Sequence, residues 1–358
     1  MKISRTQAIG ITVLGLGLLI AGPLLPGAER ITRLGPPSRG HVTDLAPGGD
    51  GSFLAGTQQG QLWRLRGGEW TTVRIDLGGQ PVTALPAEPA GDPAAGPIGT
   101  AAGLVNPPPG MPALDTRISD ELATAGGLVV GTGEGLQIQG AGAWQPALPG
   151  VNIYRLEPQR VGDTDFVHAG TIGDGVYSAR VDDLSYWQPN RTGLPDDAYV
   201  FTFAVTRGGR LLAGTNLGLY WQAAPLEPWT PLKVGLERSR ILSMLRTDAA
   251  GGDAQRLWIG SDAGLQRVDL REDAGGVEAL SYAELISAPP DHVRYGISWI
   301  LPYEDGVLFS AGSVYRFGPA GMSGWYWISL AGVLLILLGG WLFPGRPGST
   351  PARGSVEA

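Results

Sequence analysis

RLLAGTNLGLYWQ, Arg210 to Gln222, reads as one β-hairpin. Leu211, Leu212 and Ala213 make a short apolar strand, Gly214-Thr215-Asn216-Leu217-Gly218 makes the turn, and Leu219-Tyr220-Trp221 begins the return strand. The pattern recurs as FLAGTQQGQLWRL from Phe53, PIGTAAGLVN from Pro97, VVGTGEGLQIQ from Val129, VHAGTIGDGVYSA from Val167, LWIGSDAGLQRV from Leu257 and a clipped FSAGSVYRF from Phe309. Its core is Gly-Thr/Ser-x-x-Gly followed by an apolar residue. The second glycine (Gly60, Gly103, Gly135, Gly175, Gly218, Gly264) falls where a short hairpin loop needs φ > 0, which glycine adopts without a Cβ clash. These six are the structural site residues of the repeat. Thr or Ser at the start of the turn is placed to hydrogen-bond its own backbone.

The first glycine (Gly56, Gly99, Gly131, Gly170, Gly214, Gly260, Gly312) recurs at intervals of 43, 32, 39, 44, 46 and 52 residues. A mean of about 43 suits four short strands per repeat, the unit of a propeller blade. Trp70, Trp144, Trp187 and Trp229 follow the first glycine by 13 to 17 residues, where an outer strand or a blade-to-blade contact is expected. Small and apolar runs precede the hairpins: VTDLAP from Val42, VTALPA from Val82, VFTFAV from Val200, ILSML from Ile241 and ISWIL from Ile297. They read as inner strands crowded around the propeller axis.

Together these marks resemble the WD-repeat, YVTN and sialidase-type (Asp-box, BNR) propeller superfamily. Within it they are most similar to the repeats of two-component-regulator sensor propellers and photosystem-assembly-factor-like proteins. WQPNRTGLPDDAYVFTFAV, from Trp187, carries the resemblance best, and it extends over about Val42 to Phe317. It implies an all-β chain, a β-propeller of seven blades with six as the alternative, and no particular activity, because propellers host unrelated functions. The sialidase Asp-box runs Ser-x-Asp-x-Gly-x-x-Trp. Ser261-Asp262-Ala263-Gly264 has that order wrong, so sialidase activity is not implied.

The chain has 358 residues, with 57 Gly and 29 Pro, about 24 % of the total. Given the period, that richness reads as many tight turns. A net charge of −7 argues against nucleic acid as a partner. The absence of cysteine excludes disulfides, thiol catalysis and Cys-based metal sites.

Ala8 to Leu25 is apolar and uncharged after Lys2 and Arg5, a signal peptide or, as favoured here, an uncleaved membrane anchor. Gly324 to Phe343 is 20 residues without a charge, with Trp325, Tyr326, Trp327 and Trp341 at its ends, as in a transmembrane helix. The expected division is an anchor over 1–28, a propeller over 29–318 with 29–37 completing the last blade, a second transmembrane helix over 319–343 and a short cytoplasmic tail over 344–358. The basis for the shared last blade is that blade seven stops one strand short after VYRF, while Ile31-Thr32-Arg33-Leu34 stands before the first inner strand. Closure of that kind would bring the two anchors together, to pack through Gly15, Gly17, Gly332 and Gly339. Blade two is marked only by PIGTAAGLVN and competes with a long insertion. Blade three has a poor first strand around Ser119 to Ala125.

No catalytic, cofactor-binding or metal residue is expected. His41, His168 and His292 lack metal-ligand spacing, although His41 and His292 both begin a blade. Asp182-Asp183 and Asp196-Asp197 read as solvated turn carboxylates rather than calcium ligands, and Thr132-Gly133-Glu134-Gly135 as a hairpin turn rather than a phosphate cradle. Arg207, Arg210, Arg238, Arg240 and Arg246 form a rim patch for an acidic partner only if the fold gathers them.

The expected role is binding or scaffolding of another envelope protein or membrane complex. The propeller would lie on the outer face of the cytoplasmic membrane, with no small-molecule ligand inferred. The alternatives are a sensor input module and a glycan hydrolase or lyase in the funnel. The hydrolase would need carboxylates converging on inner strands that read as mostly apolar.

Overall fold

A computed structural model describes residues 4–24, 26–36, 40–73, 75–86, 96–140, 143–249, 253–321 and 325–342. The expected tail, 344–358, lies outside these residues. Ile31–Phe317 form one compact unit, and the segments on either side form another.

The larger unit holds seven antiparallel sheets in chain order, each starting at an inner strand. The inner strands are Val42–Pro47, Val82–Ala84, Ile118–Thr124, Ile153–Val161, Val200–Val205, Ile241–Asp248 and Trp299–Tyr303. Blades one, three, four and five have four strands each. Blade six gains a fifth, because Glu284–Ser287 also pairs with its third strand, Gly264–Asp273. Among the described residues blade two has three, Val82–Ala84, Ile98–Thr100 and Gly103–Val105, so PIGTAAGLVN is a blade and not an insertion. The weak-looking start of blade three is a strand too. Residues 118 to 124 pair along Gly127–Thr132, and the polarity that disguised them comes from Asp120 and Glu121.

Blade seven draws on both ends of the chain: the order is Pro26–Arg33, Val314–Gly321, Gly306–Ser310, Trp299–Tyr303. The Leu34 N–H donates to Val314 O at 2.9 Å, and Arg33 Nε donates to Ser313 Oγ at 3.1 Å. Two bonds carry this seam into blade one: Val42 N–H to Gly312 O at 3.1 Å, and Trp70 Nε1–H to Leu34 O at 3.1 Å. Pairing the chain ends in this way leaves no open seam between last blade and first.

The first glycine of each hairpin sets how closely blades approach. A Cβ on Gly131 would lie 2.8 Å from Ile153 Cγ2, and one on Gly214 would lie 2.7 Å from Ile241 Cγ2. Ile153 and Ile241 are each the first residue of the next inner strand, and both are fully buried. Gly56 meets Val82, Gly99 meets Ile118, Gly170 meets Val200 and Gly260 meets Ile297 in the same way. A side chain at any of these positions would push two blades apart.

The smaller unit contains helix α1, Arg5–Leu24, and helix α3, Trp325–Leu342; α2, His292–Tyr295, is a single turn before the blade-seven inner strand. α1 and α3 pack antiparallel on small residues: Gly15 against Gly332 O, Gly22 against Ser329 and Trp325 O, and Gly339 against Ala8 O and Thr12. Ser329 Oγ donates to Leu19 O at 3.3 Å. Gly17, expected in this seam, instead faces open space. At about 100° per residue it lies on the opposite side from Gly15, whereas Gly22, seven residues on, returns to the same face.

Candidate functional site: the propeller axis

Six inner strands share one irregularity. The pairing register slips between Val42 and Asp44, Val82 and Ala84, Ile153 and Arg155, Val200 and Thr202, Ile241 and Ser243, and in blade three opposite Gly131/Thr132. The extra residue is Thr43, Thr83, Tyr154, Phe201, Leu242 or, in blade three, Ser119. A β-bulge re-aims a side chain out of the ladder. These six, with Ser298 at the matching place in blade seven, line a single cavity of about 90 Å³ on the axis.

The ring is uneven. Blades seven, one, two and three contribute the hydroxyls of Ser298, Thr43, Thr83 and Ser119, and blades four, five and six contribute Tyr154, Phe201 and Leu242. Tyr154 and Phe201 meet edge to face at 5.4 Å. Arg117, Arg155 and Trp299 complete the wall. The Arg155 guanidinium lies 4.1 Å over the Trp299 ring, and its Nε is 3.7 Å from Asp120 Oδ2. Arg117 lies 5.3 Å over the Tyr154 ring and, among the described residues, forms no ion pair. Ser119 Oγ and Thr83 Oγ1 are buried without a hydrogen-bond partner among those residues.

Four carboxyls gather behind this wall rather than in it: Asp44, Asp120, Glu121 and Glu157. Burial pushes Asp44 up to about 7 against the pull of Arg155, and pushes Glu157 up to about 7 against the same guanidinium. Asp120 is also raised by burial, although it accepts the backbone N–H groups of Leu156 at 2.8 Å and Glu121 at 2.9 Å. Glu121 is pushed up to about 8, by burial first and then by Asp120 and Asp44. Neither of its oxygens has a hydrogen-bond partner among the described residues. The inner strands are thus less apolar than their sequence suggests. The signal was present in VTDL, ISDEL and IYRLE, where acids and Arg155 follow the first residue of the strand by two to four places. Reading it requires the inner strands to be aligned on one another.

The other singled-out residues lie away from this cavity's lining. Gly60, Gly103, Gly135, Gly175, Gly218 and Gly264 lie in the hairpin turns with φ from +68° to +129°. At Gly218, φ is +94°, and a Cβ would come 3.0 Å from Glu237 Cα. The Thr215 hydroxyl donates to Gly218 O at 3.0 Å and accepts from Leu217 N–H at 2.9 Å, which locks the turn. Thr132 does the same around Gly135, so Thr132-Gly133-Glu134-Gly135 is a hairpin turn.

His168 is buried between Ser178 Oγ at 2.7 Å and Gln159 Oε1 at 2.8 Å, and burial lowers it to about 3, leaving it neutral. His41 hydrogen-bonds the Tyr295 hydroxyl, while His292, on the same helical turn as Tyr295, takes Pro289 O through Nδ1 at 2.7 Å. Four of the five arginines are met by carboxylates. Arg207 and Arg246 share Asp248 at 2.7 and 3.5 Å, Arg210 faces Glu272 at 3.7 Å, and Arg240 faces Asp262 at 3.3 Å. Asp182 pairs with Arg180 at 2.6 Å, and Asp183 accepts from the Ser185 hydroxyl at 2.6 Å. Among the described residues no group of three or more His, Cys, Asp or Glu is placed to hold a metal.

No family model and no curated protein matches this chain. Solved structures do. The extracellular domain of a putative one-component system from B. thetaiotaomicron is 14 % identical with a TM-score of 0.58, over 80 % of this chain and 39 % of that one. The present chain therefore spans about two fifths of that protein's solved length. YCF48 bound to D1 peptide is 13 % identical with a TM-score of 0.51, over 82 % and 99 %. An ancestral GH74 enzyme is 16 % identical with a TM-score of 0.54, over 78 % and 45 %. At such identities the likeness speaks for architecture alone, and the architecture is plain: the chain is a seven-bladed β-propeller with a long apolar helix at each end.

Proposed function

We propose that this chain is a binding or scaffolding propeller, anchored by α1 and α3 on the outer face of a cytoplasmic membrane, whose partner is an envelope protein or membrane complex. The observation that carries the reading is the helix pair. Both helices are long and apolar enough to cross a bilayer, and they pack antiparallel through Gly15, Gly22, Gly332 and Gly339, the small-residue contact typical of membrane helices. An antiparallel pair returns the chain to the side it started from, so Lys2, Arg5, Arg346 and Arg353 fall together as a positive-inside set. The propeller segment 29–318 then lies on the opposite side, and 344–358 is a cytoplasmic tail.

Partner binding is supported by the peptide-bound YCF48 structure, and an outward-facing propeller by the extracellular domain of the one-component system, both of which share the fold. The chain is read as non-enzymatic, although a GH74 enzyme shares the fold too, because its axial carboxyls lie behind the cavity wall, where substrate would not reach them. The sensor reading remains the second, favoured by the cavity itself. Affinity capture of the tagged chain from gently solubilised membranes tests the first. A stoichiometric membrane or envelope partner is expected. Recovery of the chain alone, at expression levels matching the native one, would overturn scaffolding.

A further inference from the structure

The sequence reading infers no small-molecule ligand, because the ring on the axis becomes visible only once the bulges align the inner strands. Three properties of that ring point to one chemistry. Its volume, about 90 Å³, is smaller than the roughly 150 Å³ that accommodates benzene, so it suits a ligand smaller than benzene, of no more than about five non-hydrogen atoms. Its lining is two-sided, with hydroxyls from Ser298, Thr43, Thr83 and Ser119 opposite Phe201 and Leu242. Its charge is supplied by Arg117 and Arg155, and no carboxylate lies in the wall.

Ser119 is 4 % exposed, and its hydroxyl, like that of Thr83, has no partner among the described residues. A hydroxyl is a donor as well as an acceptor, and a buried one left unpaired is destabilising. Arg117 adds a guanidinium without an ion-pair partner among the same residues. What satisfies both is an acceptor-only anion with two oxygens, the geometry a guanidinium matches best. A cation is rejected by the same two arginines. An anion that is polar all round leaves Phe201 and Leu242 unmatched. Asp44, Asp120, Glu121 and Glu157 stand behind Arg155, and Asp120 Oδ2 lies 3.7 Å from its Nε, so among the described residues Arg117 is the guanidinium of the wall that no carboxylate faces.

We propose that the axial cavity is a binding site for a short aliphatic carboxylate of about propionate size, its carboxylate on Arg117, Arg155 and Ser119 and its alkyl end against Phe201 and Leu242. The site does not depend on which protein partner the propeller takes. Binding is fixed by the bulged ring, so it belongs to the folded propeller and not to the chain ends.

The test is calorimetric titration of the detergent-solubilised full chain with sodium propionate at constant ionic strength, with sodium chloride and propylammonium chloride as controls. Saturable one-to-one binding of propionate alone is expected. Arg117→Met should weaken it at least tenfold while leaving the melting temperature measured without propionate unchanged. Leu242→Trp, which fills the cavity, should abolish it. Propionate heats no larger than those of chloride would overturn the proposal. So would wild-type affinity in Arg117→Met, whose side chain is partly exposed and not in the buried core, even if Leu242→Trp does not fold.

Discussion

Glu121 occupies the fourth place of its inner strand, counting from Ile118. The same place in other blades holds Leu45, Leu156, Phe203, Met244 and Ile300, all buried core residues. A carboxyl there is displaced from its ordinary value of 4.5 up to about 8, mainly by burial. A raised acid stabilises the fold fully below its unfolded value, and that contribution is lost as pH climbs through the folded value. The window is therefore about pH 4.5 to 8. At about 1.4 kcal/mol per pH unit for one proton, the window sets a ceiling of ~5 kcal/mol. Relaxation of the site and entry of water reduce the expected loss to about 2–3 kcal/mol.

Glu121→Gln keeps the shape and removes the titration. Urea unfolding of the solubilised chain, followed by tryptophan fluorescence at pH 5 and pH 9, reads the difference. Asp44 and Glu157, both raised to about 7, destabilise in the same direction in both proteins, so the informative quantity is wild type minus variant. The wild type should lose more stability than the variant between the two pH values, by about 2–3 kcal/mol. Parallel pH profiles would refute the reading that Glu121 is buried without a partner.

Gly214→Val should destabilise the propeller by about 1–3 kcal/mol, since its side chain would meet Thr202 and Ile241, and thermal melting checks it. Gly218→Val should cost a similar roughly 1–3 kcal/mol for a different reason, a β-branched residue held at φ +94°. An unchanged melting temperature in either would remove the corresponding role. Gly15→Leu should separate α1 from α3 while Gly17→Leu should not, as read by crosslinking cysteines placed at Leu19 and Ser329. Equal effects of the two would contradict the seam. Cysteines at Thr32 and Arg316, in a chain with none of its own, should crosslink readily, because the Leu34–Val314 bond brings their strands together. Failure there would contradict the shared seventh blade.

The fold was legible because its constraints are local. A hairpin turn needs particular residues at particular offsets, and Gly-Thr-x-x-Gly repeats them in order. What sequence left out is what only the ring creates. The first glycine of each hairpin reads as part of the turn, yet its burden is Ile153 or Ile241 of the next blade, two dozen residues away. Thr43, Thr83, Ser119, Tyr154, Phe201, Leu242 and Ser298 have no common chemistry, so nothing marks them as a set until the bulges turn them to one axis. Glu121 made blade three look like a poor strand, because a buried acid and a loop acid read alike. Helical phase alone keeps Gly17 off the face of Gly15, and only the packed pair shows that the face of Gly15 and Gly22 carries the seam.

The most direct test of an anchored outer-face propeller is protease accessibility in intact spheroplasts of cells making the chain with a tag after residue 358. Digestion of the repeats with the tag spared is expected. Protected repeats, or release of the whole propeller into the medium without the helices, would contradict the account.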